Sequence, residues 1–165
     1  MDIKLLPDGA DVLVDSNIFL YHLGNLSPEC TKLLERIARG EIKAYITTVI
    51  LTEVLHRRMM AEAVAKGLVS SGQPLKKLKA QPHIVAALTD YIIDLEKLLK
   101  LPWVITEVTT TDIKASHALR RTHGLLVNDS INLACALRLG VANIVTHDAD
   151  FARVSSLTVW EPTDV

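Results

Sequence analysis

Apolar and polar positions along the chain fall into two alternating rhythms. Short apolar runs of strand length occur at residues 12–14, 43–48, 103–108, 142–145 and 157–160. Longer stretches with apolar residues three and four apart lie between them, and their punctuation marks helices. Residues 26–39 carry Ser27 as N-cap, Pro28 at the first helical position and Gly40 just past the end. Residues 49–66 carry the stripe Ile50, Leu51, Val54, Leu55 and Met59, and residues 83–100 carry Ile84, Ala87, Leu88, Tyr91, Ile92, Leu95 and Leu98. Thr111 caps a predicted helix over 112–123 that Gly124 stops. Asp129 or Ser130 caps another, which runs to Leu139 and ends at Gly140. This last helix is apolar almost all round (Ile131, Leu133, Ala134, Cys135, Ala136, Leu137), the pattern of a helix enclosed by other elements. Residues 18–23 add a short helical turn after the first strand. Strands alternating with helices predict a three-layer α/β fold around a mainly parallel sheet.

One stretch breaks the rhythm. Ser70-Ser71-Gly72-Gln73-Pro74 is a loop signal, and Lys76, Lys77 and Lys79 follow as a small basic run. No internal repeat is present, so residues 1–165 form one domain with a helical insertion at about 62–101. With 49% hydrophobic and 22% charged residues the chain is globular, not disordered or coiled. A net charge of −1 excludes the strongly basic surface of a dedicated nucleic-acid binder, so any such contact depends on local patches or a bound cation. One such patch is the helix face bearing Lys114, His117, Arg120 and Arg121. Cys30 and Cys135 lack metal-ligand spacing and are expected to be reduced packing thiols. Acidic residues Asp2, Asp8 and Asp11 argue against a signal peptide, and no run approaches the roughly 20 apolar residues of a membrane span, so a cytoplasmic protein is expected.

The candidate chemistry lies in acids at element boundaries. Asp15 follows the first strand in Asp15-Ser16-Asn17, and Glu53 lies in the first turns of the helix after the second strand. Asp129 stands at the mouth of the enclosed helix, sharing a face with Asn132. Asp148 and Asp150 come just past the fourth strand. In an open parallel sheet, positions beyond the carboxyl ends of the strands converge on one crevice. Carboxylates gathered there repel and raise one another's pKa, and the economical neutraliser is a hard divalent cation with oxygen ligands. Singly, Asp15 and Asp129 are ordinary helix caps, and Glu53 with Arg57 four residues on is an ordinary surface ion pair. The spacing of all of them together favours a site.

Four pieces in order, Asp15-Ser16-Asn17, Thr52-Glu53-Val54-Leu55, Asn128-Asp129-Ser130 and Thr146-His147-Asp148-Ala149-Asp150-Phe151, resemble the PIN-domain endoribonucleases, and among them the VapC toxins of VapBC toxin–antitoxin modules. The resemblance covers nearly the whole chain outside residues 62–101, the stretch by which this chain exceeds the compact toxins. It implies a PIN-like sheet of about five parallel strands flanked by helices and an acidic pocket holding Mg²⁺ or Mn²⁺. It implies that Asp15, Glu53, Asp129 and Asp148 are the catalytic, metal-holding acids, with Asp150 an accessory metal ligand. Ser16, Asn17 and Thr146 resemble the small polar residues that orient metal-bound water. It further implies an RNA substrate cut by in-line attack of water, a VapB-like antitoxin, and a homodimer using the helices at 49–66 and 83–100. The alternatives are an RNA-processing nuclease outside a toxin–antitoxin module and a non-catalytic RNA-binding or interaction module. An aspartyl-phosphate phosphohydrolase is disfavoured, because Asn17 stands where its second Asp would be.

Overall fold

The computed structural model describes residues 1–165. Strands β1 (Asp11–Val14), β2 (Lys43–Thr47), β3 (Val104–Thr106), β4 (Asn143–Val145) and β5 (Thr158–Trp160) form one sheet in the order β3-β2-β1-β4-β5. Every neighbouring pair is parallel. The central strand β1 is covered on both faces, which is why Val12, Leu13 and Val14 form an unbroken apolar run with no alternation. From β1 the chain steps outward through β2 to β3, then crosses back to lay β4 and β5 on the other side. The carboxyl ends of β1 and β4 therefore flank the point where the winding direction reverses, the position at which open α/β sheets leave a crevice.

The helices are α1 (Ser16–Leu23), α2 (Pro28–Ala38), α3 (Thr48–Ala65), α4 (Pro74–Ala80), α5 (Pro82–Ala87), α6 (Asp90–Leu98), α7 (Thr110–His123) and α8 (Val127–Leu139). The main core joins the sheet to α1, α2 and the start of α3, with Phe19, Ile37, Ile46, Ile50 and Phe151 fully buried. A separate small cluster of Ala63, Val69, Leu78, Ile84 and Leu88 lies beneath α4, α5 and α6. The middle of the chain thus has its own packing and leans on α3. Both cysteines are free and buried, and burial pushes each thiol up to about 11. No helix is long and apolar enough to cross a membrane.

Three predicted boundaries differ from the observed ones, each for a local reason. The helix expected over 83–100 is two helices, α5 and α6, with Leu88 extended between them (φ −79, ψ 134) and buried. Glu62 on α3 is responsible: its carboxylate accepts the backbone N–H groups of Thr89 at 3.0 Å and Tyr91 at 2.9 Å, taking donors that a continuous helix would use. Burial alone would raise Glu62, but the Lys66 ammonium and those backbone donors bring it down to about 2. Helix α7 is capped by Thr109 and not Thr111, with Asp112 completing a capping box. Helix α8 begins at Val127, one full turn before Ser130, with Leu126 at its N-cap and no side-chain cap. Asp129 therefore lies in the first turn and is not the cap. Both α7 and α8 end at a glycine with positive φ, Gly124 (68°) and Gly140 (70°), a conformation that would strain other residues.

Candidate active site

The crevice at the switch point is an open cleft of about 730 Å³, and Asp15, Glu53, Asp129 and Asp148 all line it. They arrive on four separate elements. Asp15 follows β1 and caps α1, Glu53 projects from the second turn of α3, Asp129 from the first turn of α8, and Asp148 follows β4. Asp150 does not line the cleft: its carboxylate accepts from Arg153 at the edge. It is still close enough that its charge adds to the potential felt by Asp129.

Asp15 is the most constrained of the set, only 8% exposed. Its Oδ1 accepts the Ser16 N–H at 2.7 Å, and its Oδ2 accepts the Thr146 hydroxyl at 2.7 Å and the Asn17 amide at 3.0 Å. The parallel pairing of Val14 with Val145 sets this arrangement, because it brings the next residues, Asp15 and Thr146, side by side. Thr146 Oγ1 in turn accepts the Asn17 amide and the Asp148 backbone N–H, each at 3.0 Å. One hydroxyl thereby ties together the ends of β1 and β4. Of the small polar residues that the resemblance singled out, Asn17 and Thr146 bond Asp15 through their side chains, and Ser16 does so through its backbone N–H.

Two of the four acids, Asp15 and Asp129, are shifted by burial and by the charges around them. Asp15 is raised above the ordinary carboxylate value, chiefly by burial, against the pull of its hydrogen bonds and with a further push from Glu53 and Asp148. Asp129 is raised to about 6, again chiefly by burial, then by the charges of Asp15, Asp148, Glu53 and Asp150. The N-terminus of α8 should favour an anion there, so burial and the surrounding negative charge together outweigh the helix dipole. The one Lys or Arg in the lining is Arg57, whose guanidinium lies 2.8 Å from Glu53 Oε1. No three His, Cys, Asp or Glu side chains are drawn together to metal-holding distance. The cleft thus gathers oxygen ligands of one charge but does not clench them.

Several lining residues were missed or misplaced by sequence reasoning. Tyr21 and His147 form a tilted pair at the mouth, ring centroids 5.7 Å apart, with the Tyr21 hydroxyl 3.3 Å from His147 Nδ1. Leu126 and Val127 contribute an apolar lip, 71% and 58% exposed. Nothing in local sequence marks a solvent-facing Leu-Val as a cleft wall. Asn132, on the same face of α8 as Asp129, is buried and accepts the Thr47 hydroxyl at 2.6 Å, pinning α8 to the end of β2. Of the basic face on α7, Arg120 is spent on the hydroxyls of Ser116 and Ser130.

The PIN-domain profile matches residues 12–157 of this sequence, and the chain belongs to the PIN-domain family. It is 26% identical to Ribonuclease VapC2 of Methanocaldococcus jannaschii over 159 residues, 96% of this chain and 98% of that one. The helical middle is therefore matched in length by that ribonuclease and is not an addition peculiar to this protein. In structure the chain resembles the VapBC2 crystal structure from Rickettsia felis, bound to a DNA fragment from its promoter, with a TM-score of 0.59 and 15% identity over 92% of this chain and 98% of that one. It also resembles VapBC-1 of nontypeable Haemophilus influenzae, with a TM-score of 0.57 and 16% identity over 92% and 97% of the two chains. At these identities the structures speak for the fold, a five-stranded all-parallel α/β architecture.

Proposed function

We propose that this protein is a metal-dependent endoribonuclease that hydrolyses RNA phosphodiester bonds at the acidic cleft and acts as the toxin of a toxin–antitoxin pair. The observation that carries the reading is the convergence of Asp15, Glu53, Asp129 and Asp148 from four distant segments on one cleft with a single basic side chain. Ribonuclease VapC2, similar over nearly the full length of both chains, supports the choice of RNA as substrate. Solved relatives described as VapBC or toxin–antitoxin complexes support an antitoxin partner.

The donor set fits a hard divalent cation, Mg²⁺ or Mn²⁺: every candidate ligand is a carboxylate oxygen, and two of the carboxyls are held above their ordinary pKa by burial and by the charge of neighbouring carboxylates. A bound cation would polarise the phosphoryl oxygen and lower the pKa of water beside it. Asp15, fixed by three hydrogen bonds, would anchor the cation, and Asp129 and Asp148 would complete its shell, with Asp150 in support. Glu53 would orient the attacking water or take its proton. Thr146 and Asn17 hold Asp15 and the Asp148 backbone in place, so Asp15 is a fixed point toward which the other carboxylates would close. The exposed Leu126 and Val127 beside the acids offer an antitoxin an apolar seat, from which a basic side chain would reach the carboxylates. Homodimerisation would use α3 and the α5–α6 segment.

The test is cleavage of mixed tRNA and rRNA by purified protein with Mg²⁺, with Mn²⁺ and with EDTA, alongside Asp15→Asn and Asp129→Asn. Cutting that needs the metal and falls at least about 100-fold in both variants is the expected result. Undiminished cutting by Asp15→Asn would refute the assignment of the site. Growth arrest on expression, relieved by a co-expressed neighbouring small protein, is the expected sign of the toxin role.

A further inference from the structure

The cleft poses a problem that its acids cannot solve. An RNA backbone carries one negative charge per phosphate, and a cation held by several carboxylates is largely neutralised by them, so a phosphate next to the scissile one meets net repulsion. Arg57 is the only Lys or Arg in the lining. Its position four residues after Glu53 puts both side chains on the same face of α3, pointing into the cleft, and the guanidinium rests on Glu53 Oε1 at 2.8 Å. The Arg57 side chain is 54% exposed and makes no other salt bridge or side-chain hydrogen bond, whereas Arg58, next to it, is 20% exposed and fixed to Asp94. Arg57 is thus an exposed fork on a weak tether, since an ion pair open to solvent is screened by it.

We propose that Arg57 is the phosphate-binding residue of the cleft, held by Glu53 in the free protein and released to a phosphodiester flanking the scissile one when Glu53 turns to a divalent cation or its water. The inference rests on the nuclease reading. The guanidinium rests on Oε1 and a cation would draw on the same carboxylate charge, so each weakens the other's hold on Glu53, while the freed guanidinium favours RNA. By linkage, cation and RNA then strengthen each other's binding. Guanidinium suits this task because its planar donors engage a phosphate in two parallel hydrogen bonds, which an ammonium cannot do.

The experiment uses the full chain, Ca²⁺ as the cation and a short single-stranded RNA. Calorimetry reads Ca²⁺ alone, and fluorescence anisotropy reads RNA across a KCl series, with Ca²⁺ and with EDTA. Arg57→Gln is expected to bind Ca²⁺ severalfold more tightly. With Ca²⁺ present it is expected to bind RNA about fivefold to tenfold more weakly, with the salt slope reduced by about 1. In EDTA the RNA difference should shrink, because Glu53 then holds the wild-type guanidinium. Arg57→Lys should keep the slope and recover only part of the affinity. Lys32→Gln, which removes the same charge from α2, should stay within about twofold of wild type. Equal RNA affinity and slope in Arg57→Gln and wild type, or an equal loss in Lys32→Gln, overturns the proposal while leaving the nuclease reading intact. A wild-type protein that binds no RNA under any condition removes both.

Discussion

Asp112 on α7 and Asp129 on the adjacent α8 occupy the same place in their helices, the third residue after the N-cap. The same local dipole acts on both, yet they are pushed in opposite directions. Asp112 is 1% exposed and is held far below the ordinary carboxylate range, chiefly by the Arg138 guanidinium, which donates to it at 2.7 and 3.0 Å. The N–H and hydroxyl of Thr109 complete its partners. Asp129 follows Leu126, which has no side-chain donor, and it rises to about 6, first by burial and then by the charges of Asp15, Asp148 and Glu53. A carboxylate supplied with partners is held charged by them, whereas a half-buried one denied them is pushed toward its neutral form.

Breaking the satisfied acid should have the largest effect. Asp112→Ala leaves Arg138 without its carboxylate and removes the α7 capping box, and is expected to cost about 3–5 kcal/mol in urea unfolding. Glu62→Ala should come next, at about 2–3 kcal/mol. Its loss should also speed hydrogen exchange at the α5–α6 junction, which Glu62 ties to α3. A cost below about 1 kcal/mol in either would mean that these pairs decorate the fold without fastening it.

Asp129→Asn has the opposite sign. A carboxyl whose folded pKa is raised stabilises the fold fully below its unfolded value near 3.8, and that contribution is lost as pH rises through about 6. Removing the charge should therefore raise metal-free stability at pH 7.5, by about 1–2 kcal/mol once solvent screening of this half-buried group is allowed for, and by nothing at pH 3.5. Mn²⁺ at 100 times its Kd should add about 2.7 kcal/mol to the wild type and much less to this variant. The smallest effect should come from Leu126→Thr, which gives α8 the cap that α7 already has. It is expected to add about 0.5–1 kcal/mol and to lower the Asp129 titration followed by NMR. If Asp129 does not move, its environment is set by the cleft alone and the comparison with Asp112 loses its capping half.

The sequence by itself determined all five strands, the parallel α/β class and the candidate acids, because these are written in short-range terms. An unbroken apolar run at Val12–Val14 specifies a strand covered on both faces, and an acid directly after such a strand lies at the sheet's open end. Helix 26–39 was legible from Ser27, Pro28 and Gly40, and the structure has Ser27 accepting the Cys30 N–H. What only the tertiary structure decided were the partners. The break between α5 and α6 comes from Glu62, whose sequence neighbourhood gives no hint that it meets Thr89 and Tyr91. Asn132 shares a helical face with Asp129, but its partner, Thr47 at the end of β2, cannot be read from the helix. Arg57, Tyr21 and His147 became cleft residues only when the crossover from β3 back to β4 brought their elements to one rim. Periodicity and capping act within a few residues and can be seen in one dimension. The pairing of charges, and the lack of it, depends on which segments the chain brings together, and that is fixed only when the sheet is assembled.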